Sequence, residues 1–155
     1  MHHKKIFLLR HSDAEYSSLT DTDFDRKLTS VGIEKILQFK DDYLKTLAVD
    51  AVFCSTAARA KETLEVLKIS IENCSFHKEL YEATVEDLIH FIQSISNQFK
   101  SILLVGHNPG LSSLASYLCE DLFLLNTCQL IELDLEIVDW KLLTRGIGTE
   151  KRNFF

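Results

Sequence analysis

Ile6-Phe7-Leu8-Leu9-Arg10-His11-Ser12 places four apolar residues directly before an arginine, a histidine and a serine. A short apolar run of this kind predicts a strand buried on both faces of a sheet. In open α/β sheets, ligand sites form beyond the carboxyl ends of such strands. A guanidinium binds phosphate oxygens in a bidentate manner, and an imidazole can attack phosphorus or hold a proton. Arg10 and His11 are therefore candidates for an oxyanion site, and the alternative is a solvated pair at a strand end.

Two later apolar runs end in residues of the same kind. Ala51-Val52-Phe53-Cys54 leads into Ser55-Thr56-Ala57-Ala58-Arg59, and Ser101-Ile102-Leu103-Leu104-Val105 leads into Gly106-His107-Asn108-Pro109-Gly110. Taken singly, Arg59 reads as an ordinary arginine at a helix start, and His107 as a capping or core histidine. Parallel strands, however, place their carboxyl ends along one edge of a sheet. We therefore expect two imidazoles and two guanidiniums to converge, a set that suits a phosphoryl group without a metal.

Helical patterns fill the intervals between these strands. Thr29 or Ser30 can cap a first helix that extends to Leu47, and a second helix follows Arg59. Thr84 with Asp87 predicts a capping box at the start of a third helix. A short fourth helix follows the second glycine of Gly106-His107-Asn108-Pro109-Gly110, and the glycines there favour a tight loop that exposes its backbone.

Weaker patterns complete the chain. The segment 75–80 is a less clear strand, and the alternation of residues 129–135 predicts a half-exposed, antiparallel edge strand. Residues 140–143 are the candidate for a last strand, and residues 145–155 have no usable periodicity. The polar loop 12–27 is of a length that often covers a site. Alternating strands and helices predict an α/β domain whose mainly parallel sheet carries helices on both faces.

Composition limits the class of protein. A chain of 155 residues with 46% hydrophobic residues suits a single domain spanning 1–155. The net charge of −6 argues against a nucleic-acid partner. No run resembles a signal peptide or a membrane span, so we expect a cytoplasmic protein with no membrane partner. We assign no function to His2 and His3. The four cysteines, which lie in or beside apolar runs and lack metal-ligand spacing, indicate buried thiols in a reducing compartment; they are Cys54, Cys74, Cys119 and Cys128.

Three segments resemble the signature segments of the histidine phosphatase superfamily, whose fold is phosphoglycerate-mutase-like. They are Leu9-Arg10-His11-Ser12-Asp13-Ala14-Glu15, Ser55-Thr56-Ala57-Ala58-Arg59-Ala60-Lys61-Glu62-Thr63 and Val105-Gly106-His107-Asn108-Pro109-Gly110-Leu111. The resemblance runs from about Lys4 to Leu143. Within the superfamily, the short chain and the loop after Val105 are similar to the SixA type of phosphohistidine phosphatase. The resemblance implies a three-layer αβα sandwich with a mixed, mostly parallel sheet.

The resemblance also implies roles for individual residues. The nucleophilic histidine of the family falls on His11, its phosphate-binding arginines on Arg10 and Arg59, and its second histidine on His107. Ser12 stands where the common motif has glycine, which can change the loop through its hydroxyl. The candidates for a phosphate-binding loop are Ser12, Gly106 and Asn108. Glu82 is a candidate general acid, and it can equally be a solvated loop glutamate. No cofactor and no metal are expected.

These assignments predict a metal-independent phosphatase that works through a phosphohistidine intermediate. The expected substrate is phosphohistidine on a signalling or phosphotransfer protein, because an imidazole leaves more easily than an alkoxide and needs a general acid less. The alternatives are a small-molecule phosphomonoesterase of the same superfamily and a non-catalytic phosphoprotein-binding module. A cysteine-phosphatase loop from Cys54 to Arg59 fits poorly, because only four residues separate the two and the loop lacks glycine.

Overall fold

The structure, a computed structural model, describes residues 3–154, so Met1, His2 and Phe155 lie outside the described residues. The strands are β1 (Lys4–Arg10), β2 (Ala51–Ser55), β3 (Cys74–His77), β4 (Ser101–Gly106), β5 (Leu130–Leu135) and β6 (Gly148–Phe154). The α-helices are α1 (Ser30–Thr46), α2 (Ala58–Leu67), α3 (Val85–Gln93) and α4 (Gly110–Cys119). One-turn 3-10 helices lie at Asp23–Asp25, Lys78–Leu80 and Trp140–Leu142.

The strands form one six-stranded sheet in the order β3-β2-β4-β1-β5-β6. The first four strands in this order are parallel to one another, and β5 and β6 are antiparallel to their neighbours. The predicted α/β class with a mixed, mostly parallel sheet is therefore confirmed. The order places the carboxyl ends of β2, β4 and β1 side by side, and these are the three strands that carry the candidate residues.

The alternation of side chains along β1 divides the core into two layers. Ile6 and Leu8 pack in one cluster with residues of α3 and α4, whereas Phe7 and Leu9 pack in the other with residues of α1 and α2. All four side chains are essentially inaccessible to solvent. A strand covered on both faces needs an unbroken apolar run, which confirms the interpretation of this segment. Helices on both faces complete the three-layer arrangement.

Local signals located the starts of α1 and α3, whereas α2 begins at Ala58, one residue before Arg59, after which it was predicted to start. The Thr29 hydroxyl caps α1 by accepting the Gly32 N–H at 2.9 Å. The capping box of α3 is confirmed with aspartate in the place of glutamate, since Thr84 and Asp87 bond each other's backbone N–H groups.

The carboxyl-terminal third of the chain differs from the prediction in two elements. The strand predicted at 140–143 is a 3-10 helix, because the Trp140 indole is buried and donates to the Phe99 carbonyl at 2.9 Å. The alternating strand is antiparallel as expected, but the prediction that it is a half-exposed edge is wrong. Glu132 within it is 1% exposed and pairs with Lys5 at 2.6 Å. The edge strand on this side of the sheet is β6, whose residues are mostly exposed and show no apolar periodicity.

Two further expectations are tested by the described residues. The third strand ends at His77, earlier than predicted, and a 3-10 turn follows it. Cys54 and Cys128 are buried as expected, whereas Cys74 is exposed and Cys119 is half-buried. Among residues 3–154, no helix has both the length and the hydropathy that a membrane crossing requires.

Candidate active site

The ends of β1 and β4 bring the two predicted histidines together. Arg10 is in register with Gly106, and the His11 N–H donates to the Gly106 carbonyl at 3.1 Å. The imidazole rings of His11 and His107 then lie with their centroids 5.1 Å apart. Arg59, one residue into α2, reaches the same point from the end of β2. The four residues predicted to converge therefore line one cleft.

Each ring nitrogen of His11 has one partner: Nδ1 faces the Ser12 carbonyl and Nε2 faces Arg59. Its Nδ1 lies 2.7 Å from the Ser12 carbonyl oxygen. A carbonyl can only accept, so Nδ1 carries the proton and Nε2 carries the lone pair. The Arg59 Nε–H donates to that Nε2 at 3.2 Å. Burial, with smaller effects from the two guanidiniums, lowers the pKa of His11 to about 4. His11 is therefore a neutral imidazole with Nε2 available as a nucleophile.

In His107 it is Nε2, and not Nδ1, that has a hydrogen-bond partner in the protein. Its Nε2 lies 2.8 Å from the Ser55 hydroxyl, and that hydroxyl accepts the Ala57 N–H at 3.2 Å. The Ser55 hydroxyl can direct its proton at His107 Nε2, and in that tautomer the His107 proton lies on Nδ1. This Nδ1 is buried and has no partner among residues 3–154. Burial, followed by the neighbouring His11, lowers the pKa of His107 to about 3. In the free protein His107 is thus a neutral donor, and the arginines supply the positive charge.

The two arginines differ in how their nitrogens are occupied. Arg59 is 5% exposed, and its terminal nitrogens donate to the Asp23 carbonyl at 2.8 Å and to the Asp23 carboxylate at 3.0 Å. Arg10 donates from Nη1 to the Leu125 carbonyl at 3.0 Å, while its buried Nε has no partner within the described part of the chain. Arg10 Nε and His107 Nδ1 are therefore two buried donors whose acceptors are still to be supplied, as an oxyanion in the cleft would do.

Two residues that the sequence interpretation passed over belong to this site. The Tyr81 hydroxyl donates to the Asp23 carboxylate at 2.6 Å, and its ring lies 5.5 Å from the His107 ring. The Tyr81 bond, with the charge and hydrogen bonds of Arg59, lowers the pKa of Asp23 to about 2. The loop 12–27 was expected to cover the site, which is where Asp23 lies. Nothing in the sequence distinguishes Asp23 from Asp21 or Asp25, however.

Three other predicted positions offer no free polar side-chain group to the cleft. Ser12 is fully buried, and its hydroxyl donates to the Gly32 carbonyl at 2.7 Å. Gly106 ends β4, and a Cβ there would only reach the Leu111 side chain at an ordinary 3.6 Å. Asn108 lines the cleft, but its amide donates to the Leu125 carbonyl at 2.8 Å and accepts from the Ser112 hydroxyl at 2.7 Å. Its side chain therefore fastens the start of α4.

Gly110 and Glu82 complete the predicted set. A Cβ on Gly110 would collide with the Ala83 carbonyl oxygen, so glycine is required there by close approach. Glu82 is exposed and lines the cleft, on the same segment as Tyr81. Cys54 lies outside this cleft, and burial raises the pKa of its thiol, which is the reverse of what a cysteine nucleophile needs.

The cleft itself is wide and open, with a volume of about 1110 Å³. Charged groups of both signs line it, and so do aromatic and apolar side chains, among them Tyr16, Val31 and Val85. Within residues 3–154, no group of three or more histidine, cysteine, aspartate and glutamate side chains is placed to hold a metal ion.

Comparisons with known proteins agree with this geometry. The sequence profile of the Histidine phosphatase superfamily (branch 1) matches residues 6–88. The uncharacterized protein ML1117 of Mycobacterium leprae is 32% identical over 112 residues, which cover 69% of this chain and 68% of the relative. Rv1276c of Mycobacterium tuberculosis, also uncharacterized, is 34% identical over 109 residues, covering 69% and 67%.

Solved structures share the fold at lower identity. A protein proposed to be the phosphohistidine phosphatase SixA of Nakamurella multipartitia has a TM-score of 0.85 at 23% identity, with 99% of this chain and 96% of that one covered. The protein histidine phosphatase SixA in complex with tungstate has a TM-score of 0.79 at 23% identity, covering 96% and 95%. With the profile and the curated relatives, this establishes that the chain belongs to the histidine phosphatase superfamily, branch 1.

Proposed function

We propose that the protein is a metal-independent phosphatase in which His11 becomes transiently phosphorylated and whose substrate is phosphohistidine on another protein. One observation carries the proposal: His11 Nδ1 is bound to the Ser12 carbonyl, so a neutral Nε2 faces the Arg59 guanidinium at 3.2 Å. That arrangement supplies a nucleophile and a cation at the same atom.

The chemistry has two steps. In the first, the His11 Nε2 lone pair attacks phosphorus, and the bond from phosphorus to the leaving nitrogen breaks as that imidazole takes a proton from the solvent in the open cleft. In the second, water attacks phosphorus and gives a proton to the solvent, the bond to Nε2 breaks with its electron pair returning to Nε2, and inorganic phosphate leaves. Both transition states place negative charge on the equatorial oxygens. Arg10 Nε, the free N–H groups of Arg59 and the His107 Nδ1–H are the donors for those oxygens.

The charge state of the carboxylates supports a nitrogen leaving group. Asp23 is held ionised, so it has no proton to give to a departing oxygen. Glu82 lies in the cleft wall but is exposed. A leaving imidazole has much less need of such an acid. The width of the cleft also suits a side chain presented on a protein surface, since a phosphoryl group alone would fill a small part of it.

A small-molecule phosphomonoesterase is the second candidate. Glu82 favours it, because a carboxylic acid in the cleft wall is what an alkoxide leaving group requires. An Escherichia coli structure described as an alpha-ribazole-5'-P phosphatase has the same fold, with a TM-score of 0.70 at 18% identity. A non-catalytic phosphoprotein-binding module is disfavoured by the unprotonated Nε2 that His11 directs into the cleft, which binding alone would not need.

The test compares a phosphohistidine protein, para-nitrophenyl phosphate and sugar phosphates as substrates of the purified protein. We expect the phosphohistidine protein to be cleaved fastest. Rapid quenching should trap a label on the enzyme that is acid-labile and base-stable, and that is absent from His11→Ala.

His90→Ala is the matched control, because His90 is an exposed histidine of α3 away from the cleft. It should retain the label. A label that survives in His11→Ala would contradict the assignment of the nucleophile, and faster cleavage of a sugar phosphate would favour the second candidate.

A further inference from the structure

Arg59 is a buried cation whose orientation is set by a residue outside the predicted catalytic set. Its side chain is 6% exposed, and a buried guanidinium is costly unless it is paired and hydrogen-bonded. Asp23 meets that need twice, through its carbonyl oxygen at 2.8 Å and its carboxylate at 3.0 Å. Because both contacts are made by the terminal nitrogens, the guanidinium is held at its far end.

The two hydrogen bonds to Asp23 determine the direction of the remaining N–H groups of the Arg59 guanidinium. Arg59 has five N–H donors. Two are taken by Asp23, and the Nε–H is aimed at His11 Nε2, the atom to which phosphorus would bind. The remaining two are available to phosphoryl oxygens. Rotation of the guanidinium away from Asp23 would turn the Nε–H away from the reacting nitrogen.

Asp23 is itself fixed from two further sides. The Tyr81 hydroxyl donates to Oδ2 at 2.6 Å, and Arg26 Nε donates to Oδ1 at 2.9 Å. The Tyr81 ring also lies under the Arg59 guanidinium at 5.8 Å and packs edge-on against Phe24 at 5.1 Å. Tyr81 thus contacts both members of the ion pair.

We propose that Asp23, supported by the Tyr81 hydroxyl, is a positioning residue that orients Arg59 toward the phosphoryl group on His11. The inference rests on the proposed function of the cleft and adds to it a part for the loop that carries Asp23. Asp23 acts through Arg59 and does not itself touch the reacting atoms.

The geometry distinguishes this role from two others. As a general acid, Asp23 would need a proton, yet three donors point at its carboxylate and keep it ionised. As an obstruction, it would have to take all the terminal N–H groups that phosphoryl oxygens could use. It takes two of those four and leaves two, with the Nε–H directed at His11.

A consequence for anion binding follows from the charge of Asp23. A carboxylate beside Arg59 opposes the entry of a second anion, so it weakens the binding of phosphate while it holds the guanidinium in place. Asp23→Asn keeps a side-chain oxygen for Arg59 and removes the charge, whereas Asp23→Ala removes the side-chain oxygen and the charge and leaves only the contact with the backbone carbonyl. Geometry and charge can therefore be separated with two variants.

The experiment measures two quantities for wild type, Asp23→Asn, Asp23→Ala and Tyr81→Phe. One is the single-turnover rate on a phosphohistidine protein, and the other is the dissociation constant for tungstate by calorimetry. Asp21→Asn is the matched control, since Asp21 is an exposed aspartate of the same loop that does not contact Arg59. Its φ of 59° is one that asparagine also adopts readily.

We expect Asp23→Ala to lower the single-turnover rate by about tenfold or more, the scale of a displaced catalytic group. Asp23→Asn should stay within about threefold of wild type and bind tungstate about fivefold more tightly at low ionic strength. The single-turnover rate of Tyr81→Phe should lie between the rates of Asp23→Asn and Asp23→Ala. Asp21→Asn should match wild type in both quantities.

Two results would overturn the proposal. A faster Asp23→Ala protein would mean that Asp23 obstructs Arg59. Equal losses of rate in Asp23→Asn and Asp23→Ala would mean that the orientation of Arg59 is not what is lost. The ¹H–¹⁵N resonance of Arg59 Nε, assigned by its absence in Arg59→Lys, tests orientation without activity. It should be slowly exchanging in wild type and Asp23→Asn, and lost in Asp23→Ala, even if wild type cleaves none of the substrates.

Discussion

Acidification should destabilise this protein through the two buried histidines of the cleft, His11 and His107. Burial lowers the pKa of His11 to about 4 and that of His107 to about 3, whereas both are near 6.5 in the unfolded chain. As the pH falls below about 6.5, the unfolded chain therefore binds protons that the native protein refuses. Stability contributed by the neutral imidazoles is complete above pH 6.5 and is lost toward the native pKa values.

The size of the effect follows from the same values. One pH unit is worth about 1.4 kcal/mol per proton, so at pH 5 each histidine lowers the free energy of unfolding by about 2 kcal/mol relative to pH 7. The pair then accounts for about 4 kcal/mol, which is a large share of the 5–15 kcal/mol typical of a folded domain. Carboxylates add their own dependence below pH 5, so the histidine contribution must be isolated by difference.

Urea unfolding of wild type and of the double variant His11→Asn, His107→Asn between pH 7 and pH 5 makes this comparison. The gap in unfolding free energy between the two proteins should shift by about 4 kcal/mol in favour of the variant as the pH falls. The unfolding free energy of His90→Asn should change with pH more nearly as that of wild type does than as that of the double variant does. A gap that stays constant from pH 7 to pH 5 would refute the view that both imidazoles are held neutral.

Four further outcomes are expected. Arg59→Lys keeps the charge but loses the planar fork, and should slow single turnover by about a hundredfold or more; near-normal turnover would remove Arg59 from the site. Glu82→Gln should barely change phosphohistidine cleavage while His107→Ala damages it, and the reverse pattern in the same assay would exchange their roles. Ser12→Gly should cost about 1–2 kcal/mol in urea unfolding, through the lost bond to the Gly32 carbonyl and added chain entropy. Activity should persist after exhaustive chelation, and recovery of lost activity by one divalent ion would contradict this.

The sequence predicted those parts of the fold that depend on residues close together in the chain. A doubly buried strand requires an unbroken apolar run, so β1 and β4 were evident, and the residues after them had to lie at one sheet edge. The cap of α3 depends on two residues three positions apart, and it was found for the same reason. These features need no knowledge of distant contacts.

The parts that were missed depend on partners far along the chain. Nothing near Glu132 indicates that β6 will cover it, and β6 itself is polar because it is an edge. Asp23 bonds Arg59, which lies 36 residues later in the chain, and the Tyr81 hydroxyl bonds Asp23. Three aspartates in one loop are equivalent until the folded chain places one of them against a guanidinium.

The close approach of Gly110 to the Ala83 carbonyl has a meaning for anyone comparing related chains. It joins the first turn of α4 to the segment that carries Tyr81, so even one added methyl group at 110 would push two walls of the cleft apart. Gly106, only four positions earlier, has room for a methyl group. In a set of relatives, a glycine retained at 110 would therefore indicate that the spacing of the cleft walls is retained, whatever the substrate of each relative. Alanine at 106 would be compatible with the same site.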